Sequence, residues 1–78
     1  MITLKMTALL AKRAKSKSQE LELEFQPDLT VGTVIAREGF SGTDAEAITA
    51  VINGTQATHD QGIADGDTVE LLVGIAGG

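Results

Sequence analysis

Asp65-Gly66-Asp67-Thr68-Val69-Glu70-Leu71-Leu72-Val73-Gly74-Ile75-Ala76-Gly77-Gly78 are the last residues of a 78-residue chain, and they join a turn, a strand and an end poor in side chains. Asp-Gly-Asp is a turn signal, because glycine accepts positive φ and aspartate bonds its own backbone. Val69, Leu71 and Val73 then alternate with polar positions, the period of a half-buried strand. Leu72 is out of phase with them, so it is expected to face outward beside Lys5 as part of an apolar docking patch. Residues 74–78 form a tail that spans about 15 Å when fully stretched. A Gly-Gly end frays and adds nothing to a core. What it offers is access, since backbone without side chains threads into a narrow partner site and presents its carboxylate there.

Upstream of the turn, residues 47–52 are apolar and β-branched, and Asn53-Gly54 follows. Both central positions of a type I′ turn need positive φ, so this pair predicts a hairpin from a third strand into a short fourth at residues 56–58. Thr30 stands where an N-cap belongs, Val31, Val34 and Ile35 have helical spacing, and Gly39 supplies a stop, giving a helix over residues 31–38. Gly32 weakens it by about 1 kcal/mol relative to alanine, so the helix depends on packing. Phe40 is expected to close the core, and residues 41–46 to form a surface connection with a turn of helix.

At the other end, Ile2, Leu4, Met6 and Ala8 alternate with Thr3, Lys5 and Thr7 as a first strand. Leu21, Leu23 and Phe25 alternate with Glu20, Glu22 and Glu24 as a second, ended by Pro27-Asp28. Between them the basic, serine-dotted stretch 12–18 reads as a mobile, solvated hairpin tip. The glutamates read as the charged guard of an edge strand. The order is β-β-α-β-β-β, and a helix crossing the first hairpin with the last strand inserted centrally buries every alternating face. This is the order of the β-grasp fold: α+β, a mixed sheet of about five strands with one main helix packed on one face. The whole of 1–78 is read as one domain with a flexible tail.

Composition narrows the functions. Apolar residues make up 42% of the chain and cysteine is absent, so the core is aliphatic and neither disulfides nor thiolate metal sites exist. A net charge of −5 opposes binding to a phosphate backbone, so no nucleic-acid partner is expected. No apolar run approaches the roughly 20 residues of a membrane span, and the N-terminal segment lacks a signal peptide's order, so a cytoplasmic protein with no membrane partner is expected. His59 has no second ligand nearby and is read as a solvated loop residue, so no metal is expected. Asp65-Gly66-Asp67 lacks the remaining oxygens of a calcium loop. No catalytic triad or phosphate loop can be assembled, leaving the chain no catalytic residues and no bound cofactor of its own.

With Val51-Ile52-Asn53-Gly54, the run Ile63-Ala64-Asp65-Gly66-Asp67-Thr68-Val69 and the end Ile75-Ala76-Gly77-Gly78 in this order, the chain resembles the MoaD/ThiS-type sulfur carriers, relatives of ubiquitin. The likeness covers the whole chain. It implies that an adenylyltransferase of the ubiquitin-activating type, ThiF- or MoeB-like, uses ATP and Mg²⁺ to turn the Gly78 carboxylate into an acyl adenylate. A persulfide donor protein then provides sulfur for a thiocarboxylate on Gly78. Ile75, Ala76 and Gly77 enter the partner, with Gly77 passing a constriction that a Cβ would block. The acceptor is a molybdopterin-synthase large subunit or a thiazole synthase: the long first hairpin and Thr58-His59-Asp60 resemble the molybdopterin carriers, the end of the tail the thiamine ones. The same activation would serve a ubiquitin-like modifier joined through Gly78 to lysines.

Overall fold

The computed structural model describes residues 1–73; the tail expected over residues 74–78 lies outside them. Along the chain run β1 (Ile2–Met6), α1 (Ala8–Arg13), β2 (Glu20–Leu23), α2 (Val31–Arg37), α3 (Gly42–Glu46), β3 (Ile48–Ile52), β4 (Thr55–Ala57) and β5 (Thr68–Val73). The strands form one sheet in the order β2-β1-β5-β3-β4. β5 is central, parallel to β1 and antiparallel to β3, while β1–β2 and β3–β4 are antiparallel hairpins. This is the α+β, ubiquitin-like β-grasp arrangement.

Alternation decides which side of the sheet is covered. Ile2, Leu4 and Met6, Ile48 and Ala50, and Val69 and Leu71 are buried, and they form one cluster with Leu10, Ala14, Leu29, Val31, Val34, Ile35, Phe40 and Ile63. Each fully buried aliphatic side chain contributes about 1.5–3 kcal/mol relative to exposure, so this cluster, and not helix propensity, holds helices of six and seven residues. The opposite face, with Thr3, Lys5, Thr49, Val51, Thr68, Glu70 and Leu72, is left half-buried or exposed.

α2 begins and ends as its residues require. The Thr30 hydroxyl accepts from the Thr33 amide, and Gly39, at φ 92°, ends the helix. There the Gly39 amide donates to the Ala36 carbonyl and the Phe40 amide to that of Ile35, the paired bonds of a Schellman motif, which seats Phe40 in the core. Gly32 has a second role beyond its helix penalty. Its amide donates to the His59 carbonyl at 2.7 Å, and a Cβ there would lie 3.1 Å from that oxygen. Asn53 and Gly54 take φ values of 51° and 85°, as the type I′ hairpin demands.

Three expectations are corrected. β1 stops at Met6, and Ala8 opens α1 instead of extending the strand; Lys12 and Arg13, at the start of the stretch expected as a solvated tip, are the last residues of this helix, whose Leu10 and Ala11 are buried. Thr7 caps it by accepting from the Leu10 amide at 3.4 Å. β2 ends at Leu23, because its partner there is Ile2, the first residue of β1; Phe25 has no strand to pair with and is 36% exposed. Val73, expected on the core face, is 41% exposed at the end of β5.

Candidate functional site

The end of β5 is where the sheet hands the chain on to residues 74–78, so the surface around it is the candidate site. Lys5 on β1 stands between two carboxylate residues in register, Glu20 on β2 and Glu70 on β5. Leu72 lies two residues beyond Glu70 on the same face of β5, across from Thr49 of β3. Lys5 and Leu72 both line an open groove of about 320 Å³, together with Thr7, Gln19, Glu20 and Glu70. Leu72 is half-buried and Lys5 exposed. The volume is near the lower end for small-molecule pockets, but the groove is open and combines an apolar floor with charged edges, a shape suited to a protruding side chain of a protein partner.

The two residues predicted to dock a partner are therefore neighbours on the uncovered face. Ile75, Ala76, Gly77 and Gly78, to which sequence assigns insertion and covalent chemistry, lie outside the described residues. Among the described residues, no three His, Cys, Asp or Glu side chains are grouped to hold a metal ion. No helix of the described residues is long and apolar enough to cross a membrane.

His59 differs from its expected place in a solvated loop. It is half-buried, its Nε2 lies 2.7 Å from the Ile48 carbonyl oxygen, and its own carbonyl takes the Gly32 amide. Since a carbonyl oxygen only accepts, Nε2 carries the proton, and His59 ties the start of β3 to the start of α2. Beside it, the Thr58 hydroxyl donates to Asp60 Oδ1, which with the Asp60 backbone amide holds that carboxyl below the usual aspartate range.

Sequence reasoning missed the outer face of α1. Leu9, 65% exposed, stands one turn before Lys12 and Arg13. The signal was present: Thr7 as a cap, then Leu10, Ala11 and Ala14 at helical spacing.

A five-stranded β-grasp sheet whose central strand leads toward a Gly-Gly end defines a small protein of the ubiquitin-like class. The ThiS family profile matches residues 8–78, and the chain belongs to the ThiS family. That family is one of ubiquitin-like sulfur carriers, proteins that partner an E1-like activating enzyme. No curated protein matches the chain. Among solved structures, SAMP1 from Haloferax volcanii is 24% identical, with 99% of this chain and 98% of that one covered and a TM-score of 0.71. A second structure, small archaeal modifier protein 1 of H. volcanii, is 23% identical over 95% of this chain and 97% of the other, TM-score 0.72. The solution structure of Urm1 from Trypanosoma brucei is 20% identical over 99% and 94%, TM-score 0.66. At these identities the likeness establishes the shared fold.

Proposed function

We propose that this protein carries sulfur as a thiocarboxylate on Gly78. A carboxylate is a poor electrophile, since its charge is spread over two oxygens and oxide is a poor leaving group. In the proposed sequence an E1-like partner, using ATP and Mg²⁺, joins the Gly78 carboxylate to AMP and releases pyrophosphate. The terminal sulfur of a donor persulfide attacks the acyl carbon and AMP leaves. A second thiol then attacks the donor's sulfur, forming a disulfide with it and releasing the Gly78 thiocarboxylate. The observation that carries this reading is the ThiS family match, which runs through Gly77 and Gly78. The absence of cysteine fits, because the carried sulfur needs no thiol of the protein's own.

In this reading Gly77 passes a constriction in the partner, Ile75 and Ala76 set the register of the tail, and Leu72 with Lys5 docks the partner beside it. The acceptor is a molybdopterin-synthase large subunit first and a thiazole synthase second. The chain would then serve as the small subunit or co-substrate of that synthase, in the cytoplasm. The test is reconstitution with the activating enzyme and sulfur donor of the same host, followed by mass of the intact protein. A second reading, a modifier joined through Gly78 to lysines, has its motive in the modifier named by one of the similar H. volcanii structures. A ladder of conjugates in host extract, with Gly78 in isopeptide linkage, would favour it.

A further inference from the structure

We propose that the outer face of α1 and the loop after it form a second docking surface, for an acidic surface of the activating enzyme with an apolar seat for Leu9. This rests on the carrier reading above. The chain carries eleven acidic and six basic residues, and four of the six fall at Lys12, Arg13, Lys15 and Lys17. All four are exposed. On α1, Leu9 projects at 65% exposure while Leu10 and Ala11 are buried, so an apolar centre and two cations one turn on share the outward side.

The cations are held in place. Ala14 is fully buried, the Lys15 amide donates to the Glu38 carbonyl at 2.9 Å, and the Ser16 amide to Glu38 Oε1 at 3.0 Å. Glu38 is itself only 6% exposed. Lys17 adopts φ 58° and returns its ammonium to the Lys12 carbonyl at 2.8 Å, over the end of α1. Arg13 pairs with Asp44 of α3. Among the described residues, Lys12 and Lys15 make no ion pair within the chain. A solvated hairpin tip needs none of these fastenings. A basic patch on a chain of net charge −5 biases the orientation in which an acidic partner approaches, because the rest of the chain carries eleven acidic residues and only two basic ones. α1 also packs against both β1 and β5, so the patch sits on the elements that flank the exit of the tail.

The test is steady-state adenylation of the full chain by the host's activating enzyme, read as pyrophosphate release. In low salt, Lys12→Glu with Lys15→Glu is expected to raise KM for the carrier about tenfold and leave kcat unchanged, as loss of charge steering does. Leu9→Ala should raise KM about threefold or more, the size of a lost apolar contact at an interface. Added salt should raise the wild-type KM and lower that of the double variant, because screening weakens attraction to the acidic partner in the first and repulsion in the second. Thermal melts of each variant confirm that it folds. If the wild-type chain is adenylated and the double variant keeps the same KM, the docking surface is overturned while the carrier reading stands. The docking surface is equally overturned if the double variant keeps its KM but loses retention on anionic lipid vesicles. If the wild-type chain is not adenylated at all, both readings fall.

Discussion

Asn53, in the turn between β3 and β4, donates its side-chain amide to Asp67 Oδ1 at 2.8 Å, in the turn that precedes β5. Its side-chain oxygen accepts the Thr68 amide at 3.0 Å, and its backbone amide reaches the Thr68 carbonyl. Asp67 in turn takes the Ala64 amide on Oδ2, and its carbonyl takes the Thr3 amide. The Asn-Gly and Asp-Gly-Asp motifs are therefore one device, which clamps β5 between β1 and β3 and aims its far end at the tail. Asn53→Ala removes two side-chain bonds and leaves alanine at a positive φ that asparagine tolerates better, so it should lower stability by about 2 kcal/mol in urea unfolding. An unchanged midpoint would mean the clamp is decorative.

Gly32 sets two effects against each other. Alanine gains up to about 1 kcal/mol of helix propensity, but its Cβ meets the His59 carbonyl at 3.1 Å. That carbonyl cannot easily give way, because the Gly32 amide and the His59 ring bond pin the loop. Gly32→Ala should therefore be net destabilising by about 0.5–1 kcal/mol. A stabilised variant in the same unfolding assay would show that propensity wins.

His59→Ala removes the ring contact with the Ile48 carbonyl and should lower stability by about 1 kcal/mol. Its effect should be smaller in a Gly32→Ala background than alone, since both changes loosen one contact. Strict additivity in the double-mutant cycle would contradict the shared tether.

Asp60 is fully exposed, so its lowered pKa is read by titration and not by stability. The Thr58 hydroxyl, with the backbone amide second, favours the ionised carboxylate. Its contribution is complete above the ordinary aspartate pKa and is lost as pH falls through the lowered folded value. Thr58→Val should move the Asp60 midpoint, followed by carboxyl NMR, upward toward the usual value. No movement would assign the shift to the backbone bond alone.

The strands and α2 were legible because each carries a local signal: a period of two along β1 and β5, a β-branched run closed by Asn53-Gly54 for β3, and helical spacing closed by Gly39 in α2. Where an element ends was less legible, since that depends on the neighbour. Phe25 keeps the alternation of β2, but β1 has no residue left to pair with it. α1 is six residues long, under two helical turns, and the stretch 12–18 that overlaps its end and follows it has the lysines and serines of a loop. His59 needed the Ile48 carbonyl, which no local pattern places nearby. At the site, the phase of Leu72 against Leu71 put it on Lys5's side of the sheet, whereas the exposed Leu9 followed only once α1 was known to be a helix.

Everything proposed for the tail depends on sulfur being carried at Gly78. Its most direct test is the intact mass of the protein after incubation with the host's activating enzyme, ATP, Mg²⁺ and a persulfide donor. The expected product is a species heavier by the difference between one sulfur and one oxygen, and alkylated by iodoacetamide although the chain has no cysteine. Recovery of only the unmodified acid, with the enzyme shown to be active on another carrier, would contradict it.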